Sequence, residues 1–179
     1  VSDVTPIGVD LQADDFELFS VVRQFAQELP ALEARWKALQ REAHPDKFAA
    51  QGPAAQRIAM QWSVRINEAY QRLKDPVKRA AYLCELGGVP VLANTNTAMP
   101  TQFLMQQMEW RETLEDATSE TALDVLAGEV KASRQQVLQQ CAQALDVQHD
   151  LPRAVELVRS LMFTDKFLQD LDRRRDQLE

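Results

Sequence analysis

The stretch that decides the fold runs Arg35-Trp36-Lys37-Ala38-Leu39-Gln40-Arg41-Glu42-Ala43-His44-Pro45-Asp46-Lys47-Phe48. Leu32, Trp36, Leu39 and Ala43 recur at intervals of three and four, which is one stripe of a helix. Pro30 suits a first helical turn, so the spacing predicts a helix from about residue 30. That helix must stop at His44, because the ring of a following proline drives the preceding residue out of the helical region. Residues 44–52 then form a loop ending at Gly52-Pro53, where a second proline opens the next helix.

Outward from this point the pattern stays helical. Ile58, Trp62, Ile66, Ala69, Tyr70 and Leu73 form the stripe of the next helix, which closes before Asp75-Pro76. That pair is itself a cap followed by a first-turn proline, and the helix it starts runs from Pro76 to Leu86 and ends at Gly87-Gly88. Upstream, a short apolar element (Phe16, Leu18, Phe19, Val21) follows a mobile lead-in over residues 1–14. Downstream, residues 87–100 are rich in Gly, Pro, Asn and Thr and read as a linker, with Val89, Val91 and Leu92 pinning it against a domain. Beyond it lie helical patterns at about 101–117, 119–147 and 151–177. Leu123, Leu126, Val130, Val137, Cys141 and Leu145 make the middle stripe; Val155, Val158, Leu161, Leu168 and Leu171 make the last. Short breaks imply antiparallel neighbours and a three-helix bundle. The expected fold is all-α: an N-terminal helical domain over 14–86, a linker over 87–100 and a C-terminal three-helix bundle over 101–179.

Composition agrees: 45% hydrophobic and 26% charged residues are a normal globular balance. The net charge of −7 and pI of about 4.9 argue against nucleic-acid binding, which requires phosphate neutralisation. The distribution is uneven. Residues 35–79 carry ten bases and four acids, whereas residues 1–34 carry seven acids and one base. A basic segment inside an acidic chain suggests a localised acidic partner surface. Cys84 and Cys141, the only cysteines, fall in apolar helical patterns and are read as buried free thiols in preference to a disulfide. No apolar run approaches the length that spans a bilayer, and the first fourteen residues are unlike a secretory signal. The expectation is a cytoplasmic protein of a reducing compartment.

His44 and Asp46 invite an enzymatic reading. General acid–base chemistry needs a third group and a pocket. The other histidine, His149, falls in a distant loop; no Ser or Cys nucleophile has a motif around it, and metal-ligand spacing is absent. The chain is expected not to be an enzyme.

The stretch Arg35–Phe48 resembles the second helix and loop of J-domains. Ile66-Asn67-Glu68-Ala69-Tyr70-Gln71-Arg72-Leu73-Lys74-Asp75-Pro76-Val77-Lys78-Arg79-Ala80-Ala81-Tyr82 resembles their third and fourth helices. The resemblance implies docking on a DnaK-class chaperone and acceleration of its ATP hydrolysis. Arg35, Lys37, Arg41 and Lys47 would supply a cationic face that steers a fast, salt-sensitive encounter. His44 and Asp46 would supply directional hydrogen bonds on a backbone fixed by Pro45. The departures are a missing Gly/Phe-rich segment, missing cysteine-rich zinc repeats, Ser20 where glycine is common, and Leu83 where general J-domains often have Asp.

Phe103-Leu104-Met105-Gln106-Gln107-Met108-Glu109-Trp110-Arg111-Glu112 and Leu161-Met162-Phe163-Thr164-Asp165-Lys166-Phe167-Leu168 are similar to segments of the HscB family, the J-type co-chaperones of iron–sulfur cluster assembly. Helical spacing puts Phe103, Trp110 and Leu114 on one core stripe and rotates Leu104, Met105 and Met108 away from it, with Phe163 off the stripe of its own helix. On spacing alone these four simply widen the core. The resemblance instead implies a scaffold-binding patch of Leu104, Met105, Met108 and Phe163 flanked by Glu109, Glu112 and Asp116. It implies the partners HscA, a dedicated DnaK-class chaperone, and IscU, the iron–sulfur scaffold protein, with no cofactor, no metal and no membrane. An adaptor for other client proteins is the alternative.

Overall fold

The computed structural model describes residues 8–92 and 98–177. Residues 1–7, 93–97 and 178–179 lie outside the described residues, and with them half of the expected lead-in and the middle of the expected linker. The chain is all-α: no strand occurs among the described residues. It divides into two compact units, Val1–Arg79 and Ala80–Glu179.

The first unit opens with α1 (Asp15–Phe19), started by a reciprocal capping box. The Asp14 carboxylate accepts from the Glu17 amide at 2.9 Å, and Glu17 accepts from the Asp14 amide at 3.3 Å. Part of the expected mobile lead-in is thereby tied down, since Arg65 also donates to the Ala13 carbonyl at 2.8 Å. The helix ends at Ser20, whose φ of 53° lies in the left-handed region. The departure from glycine noted in the sequence therefore falls at a position where a Cβ is strained. Phe16, Leu18 and Phe19 are buried.

Helices α2 (Leu29–Glu42) and α3 (Pro53–Lys74) pack through Leu32, Leu39 and Ala43 on one side and Trp62, Ile66, Ala69 and Leu73 on the other, as their stripes predict. Trp36 and Tyr70 are half-buried and stack across the seam, with ring centroids 4.7 Å apart. The Asn67 side-chain oxygen accepts from both Trp36 Nε1 and Gln40 Nε2 at 2.8 Å, a polar clamp on the same seam. Asp15 is fully buried between Arg65 at 2.7 Å and Arg72 at 2.8 Å, which fastens α1 to α3. A fourth helix, α4 (Pro76–Leu86), starts where the Asp75 carboxylate caps the amides of Val77 and Lys78. Arg79, near its start, is buried, donates to the Phe25 carbonyl at 2.7 Å and lies over the Phe25 ring.

The second unit takes in the rest of α4 and holds α5 (Thr101–Asp116), α6 (Glu120–Ala142) and α7 (Leu151–Asp176). A three-residue connection (117–119) and a longer one (143–150) reverse the chain twice, so α5 and α7 run parallel and α6 antiparallel to both. The pairs Arg134–Asp165 and Arg175–Asp124 cross the α6–α7 seam in that antiparallel sense. The core gathers Trp110, Leu123, Leu126, Val130, Phe167 and Leu171. Phe167, not named in the expected stripe, is fully buried beside a half-buried Leu168. Between α6 and α7 the turn Gln143–Val147 is a π-helix. Val91 is buried and its carbonyl accepts from buried Arg159 at 3.0 Å, so the expected linker is pinned there; Leu92 is exposed. Cys84 and Cys141 are buried free thiols, their pKa values raised by desolvation to about 11 and about 12.

Two stability changes follow from the first unit. Asp15→Asn strands the Arg65 and Arg72 guanidinium groups and lowers the unfolding free energy by about 3 kcal/mol, the lower end for a broken buried pair because Arg72 stays partly solvated. Ser20→Gly relieves the left-handed backbone and raises it by about 1 kcal/mol. Urea titration of each variant against the parent chain checks both signs.

Candidate functional site

His44 takes φ −62°, ψ 127°, the extended backbone that the Pro45 ring demands. Residues 45–51, expected as loop, instead wind into a 3₁₀ helix, Pro45–Gln51. Buried Phe48 anchors this turn, and Gly52 leaves it at φ 96° to let α3 begin. The His44 imidazole caps the turn: its Nδ1 accepts from the Asp46 amide at 3.2 Å. The Asp46 carboxylate lies 3.7 Å from the same nitrogen. The two side chains are 58% and 90% exposed, so the site excludes no water and supplies none of the low-dielectric surroundings that acid–base catalysis uses. Its polar heads are presented outward on a backbone closed by the Lys47 amide to the His44 carbonyl at 3.0 Å.

The cationic residues are unequal. Arg41 and Lys47 are exposed, with no ion-pair partner among the described residues. Lys37 pairs with Glu33 at 2.6 Å one turn earlier, a contact that holds the Glu33 carboxyl below its ordinary pKa. Arg35 is half-buried, its Nε fully enclosed. Of these four, the unpaired outward charge therefore lies at the C-terminus of α2 and in the turn beyond it.

On α5, Leu104, Met105 and Met108 are 43%, 59% and 71% exposed. They do not widen the core. Glu109, Glu112 and Asp116 are exposed along the same helix. Trp110 is buried against Phe167, but Phe103 is only half-buried, because the start of α5 stands off its neighbours around a groove of about 510 Å³ that Phe103 helps line. Phe163 is half-buried on α7. Arg111 reaches Asp170 at 3.8 Å. Two turns back along each of these parallel helices stand Leu104 and Phe163, so helical geometry sets them on facing rows. The spacing of α5 alone gave no sign of the half-exposed Phe103; that depends on where α6 and α7 lie.

Comparison with known proteins agrees with this arrangement. Residues 99–172 match the family described as the HSCB C-terminal oligomerisation domain. The co-chaperone protein HscB homolog of Burkholderia thailandensis is 47% identical over 174 residues, covering 96% of this chain and 99% of that one. The homolog of Bordetella petrii is 45% identical over 163 residues, 90% of this chain and 96% of its own. Among solved structures, chaperone HscB from Vibrio cholerae superposes with a TM-score of 0.81 at 36% identity, covering 93% of this chain and all of that one. Human co-chaperone protein HscB gives 0.87 at 28% identity, covering 93% and 84%. With an exposed His-Pro-Asp turn on one unit, an apolar row on the other and relatives of this identity along nearly its whole length, the chain belongs to the HscB family of co-chaperones.

Proposed function

We propose that the chain is an adaptor of iron–sulfur cluster assembly, with a J-domain over residues 14–86 and a scaffold-binding bundle over 101–179 joined by residues 87–100. The bundle holds the scaffold protein IscU. The J-domain brings it to the DnaK-class chaperone HscA in the cytoplasm and stimulates that chaperone's ATPase. The observation that carries this reading is the pair of polar heads, His44 and Asp46, held outward on a braced 3₁₀ turn. Such a tip can dock but cannot enclose a reacting substrate, so the ATP chemistry belongs to the partner.

Arg41 and Lys47 steer the encounter by long-range attraction, while the rigid tip sets its geometry. Arg35 and Lys37 contribute less, one being half-buried and the other already paired. On the bundle, Leu104, Met105, Met108 and Phe163 form the apolar centre, and Glu109, Glu112 and Asp116 the charged rim that favours a basic client surface. Methionine's flexible thioether adapts to a mobile client.

His44→Gln keeps an acceptor that can cap the Asp46 amide but removes the imidazole. Stimulation of HscA hydrolysis, followed by steady-state phosphate release, falls by at least about tenfold while the helical circular dichroism stays unchanged. Retained stimulation would sink the J-domain assignment. Combined Met105→Ala, Met108→Ala and Phe163→Ala weakens IscU binding about 100-fold in calorimetric titration, as loss of a few central apolar anchors does. Unchanged affinity would remove the patch from the interface.

A further inference from the structure

The groove beside Phe103 continues past the apolar row. Its α5 lip includes Met105 and Glu109, and its far wall is built by α6 and α7. Gln136, Gln140, Arg153 and Leu157 also line a second hollow of about 620 Å³ that reaches Gln143 and Gln148. The two hollows thus form one trough along α6.

Its chemistry is unusual for a chain this charged. The α6 wall is mainly glutamine side chains and carries no charge; on α7 Arg153 and Glu156 neutralise each other at 3.2 Å, and Glu109 on the α5 lip is the remaining charge. Beneath them lie half-buried Val137 and buried Leu157. A glutamine amide offers two donors and an acceptor without carrying charge, which matches the needs of a peptide group. A second observation concerns the helix itself. The π turn at Gln143–Val147 closes a hydrogen bond from the Gln148 amide to the Gln143 carbonyl at 2.9 Å. Closing a ring over five residues brings Gln143 and Gln148 onto one face, whereas residues five apart in a regular α-helix diverge. The irregular turn thereby extends the amide wall to the end of the trough. From Ser133 to Gln143 the wall spans about 15 Å at 1.5 Å per residue, room for about four or five residues of extended chain.

We propose that this trough binds an extended segment, free of acidic residues, of the same client whose apolar surface sits on Leu104, Met105 and Met108, with the segment's main chain running between the amides of Gln136, Gln140 and Gln143. The inference rests on the scaffold-binding reading and adds a second contact to it, continuous with the first through Met105. The occupant is a polypeptide main chain because the α6 wall bears no charge and reads only donors and acceptors, while the apolar floor takes alternate side chains.

The test titrates purified IscU into the full-length chain by calorimetry, comparing three double variants. Gln136→Glu with Gln140→Glu keeps helix propensity and size but puts carboxylates where amides stood; affinity falls about tenfold. Ala132→Glu with Gln135→Glu adds the same charge on exposed positions of α6 away from the trough and leaves affinity within about twofold. Met105→Ala with Met108→Ala weakens binding through the patch. Hydrogen exchange adds a second readout: wild type protects a contiguous stretch of IscU that the Gln136, Gln140 variant leaves unprotected. Full affinity and full protection with that variant, while the methionine variant is weakened, would overturn the trough and leave the scaffold reading standing. An equal loss in the Ala132, Gln135 control would mean long-range charge, and would overturn it too. No binding by the parent chain would overturn both.

Discussion

A proline ring disfavours the helical region for the residue before it, and the first unit is organised around that bias at Pro45. It stops α2 at Glu42, turns His44 outward and compels the chain into a tight 3₁₀ turn before Pro53 can begin α3. A hairpin of two helices results, and everything else in the unit serves to hold it. Phe48 plugs the turn, Asn67 clamps Trp36 and Gln40 across the seam, and Asp15 ties α1 to α3 through two arginines. The exposed tip can be rigid because these contacts lie beneath it and the His44 imidazole caps its first turn.

The bundle shows the opposite economy. Trp110, Phe167 and the leucines of α6 and α7 meet the needs of its core, so the remaining large side chains of α5 are left in solvent. Three exposed apolar residues within five positions amount to a surface patch of the kind that marks an interaction site. Exposed acidic residues, Glu109, Glu112 and Asp116, stand beside it on the same helix. The same departure of α5 from its neighbours near residue 103 that opens the groove also keeps Met105 accessible.

Charge is handled differently in the two units. Residues 35–79 are net basic, yet several of those charges are already partnered: Arg65 and Arg72 on Asp15, Arg79 on backbone carbonyls, and Lys37 on Glu33 at the surface. Of the charge that remains outward, Arg41 and Lys47 stand next to the His-Pro-Asp turn, while Arg57, Lys74 and Lys78 are exposed along α3 and α4. A count of bases therefore overstates the outward positive charge.

The sequence by itself determined the helices and their limits, because proline, glycine and capping residues act locally: Pro45, Pro53, Pro76 and Gly87 each impose a boundary whatever the rest of the chain does. It also determined which face of each long helix is apolar, since that depends only on period. The outward rotation of Leu104, Met105 and Met108 was legible for the same reason. Only the tertiary structure decided what depends on a neighbour. Asp15 looks like one more acid in an acidic lead-in until α3 brings two arginines to it. Phe103 looks like core until α6 and α7 are seen to stand away from it. The π turn after Cys141 and the 3₁₀ turn after His44 have no periodic signature, because each is set by how the chain must reach its next helix. Helix boundaries are local chemistry; burial and concavity belong to pairs of elements, and a single helix's pattern cannot contain them.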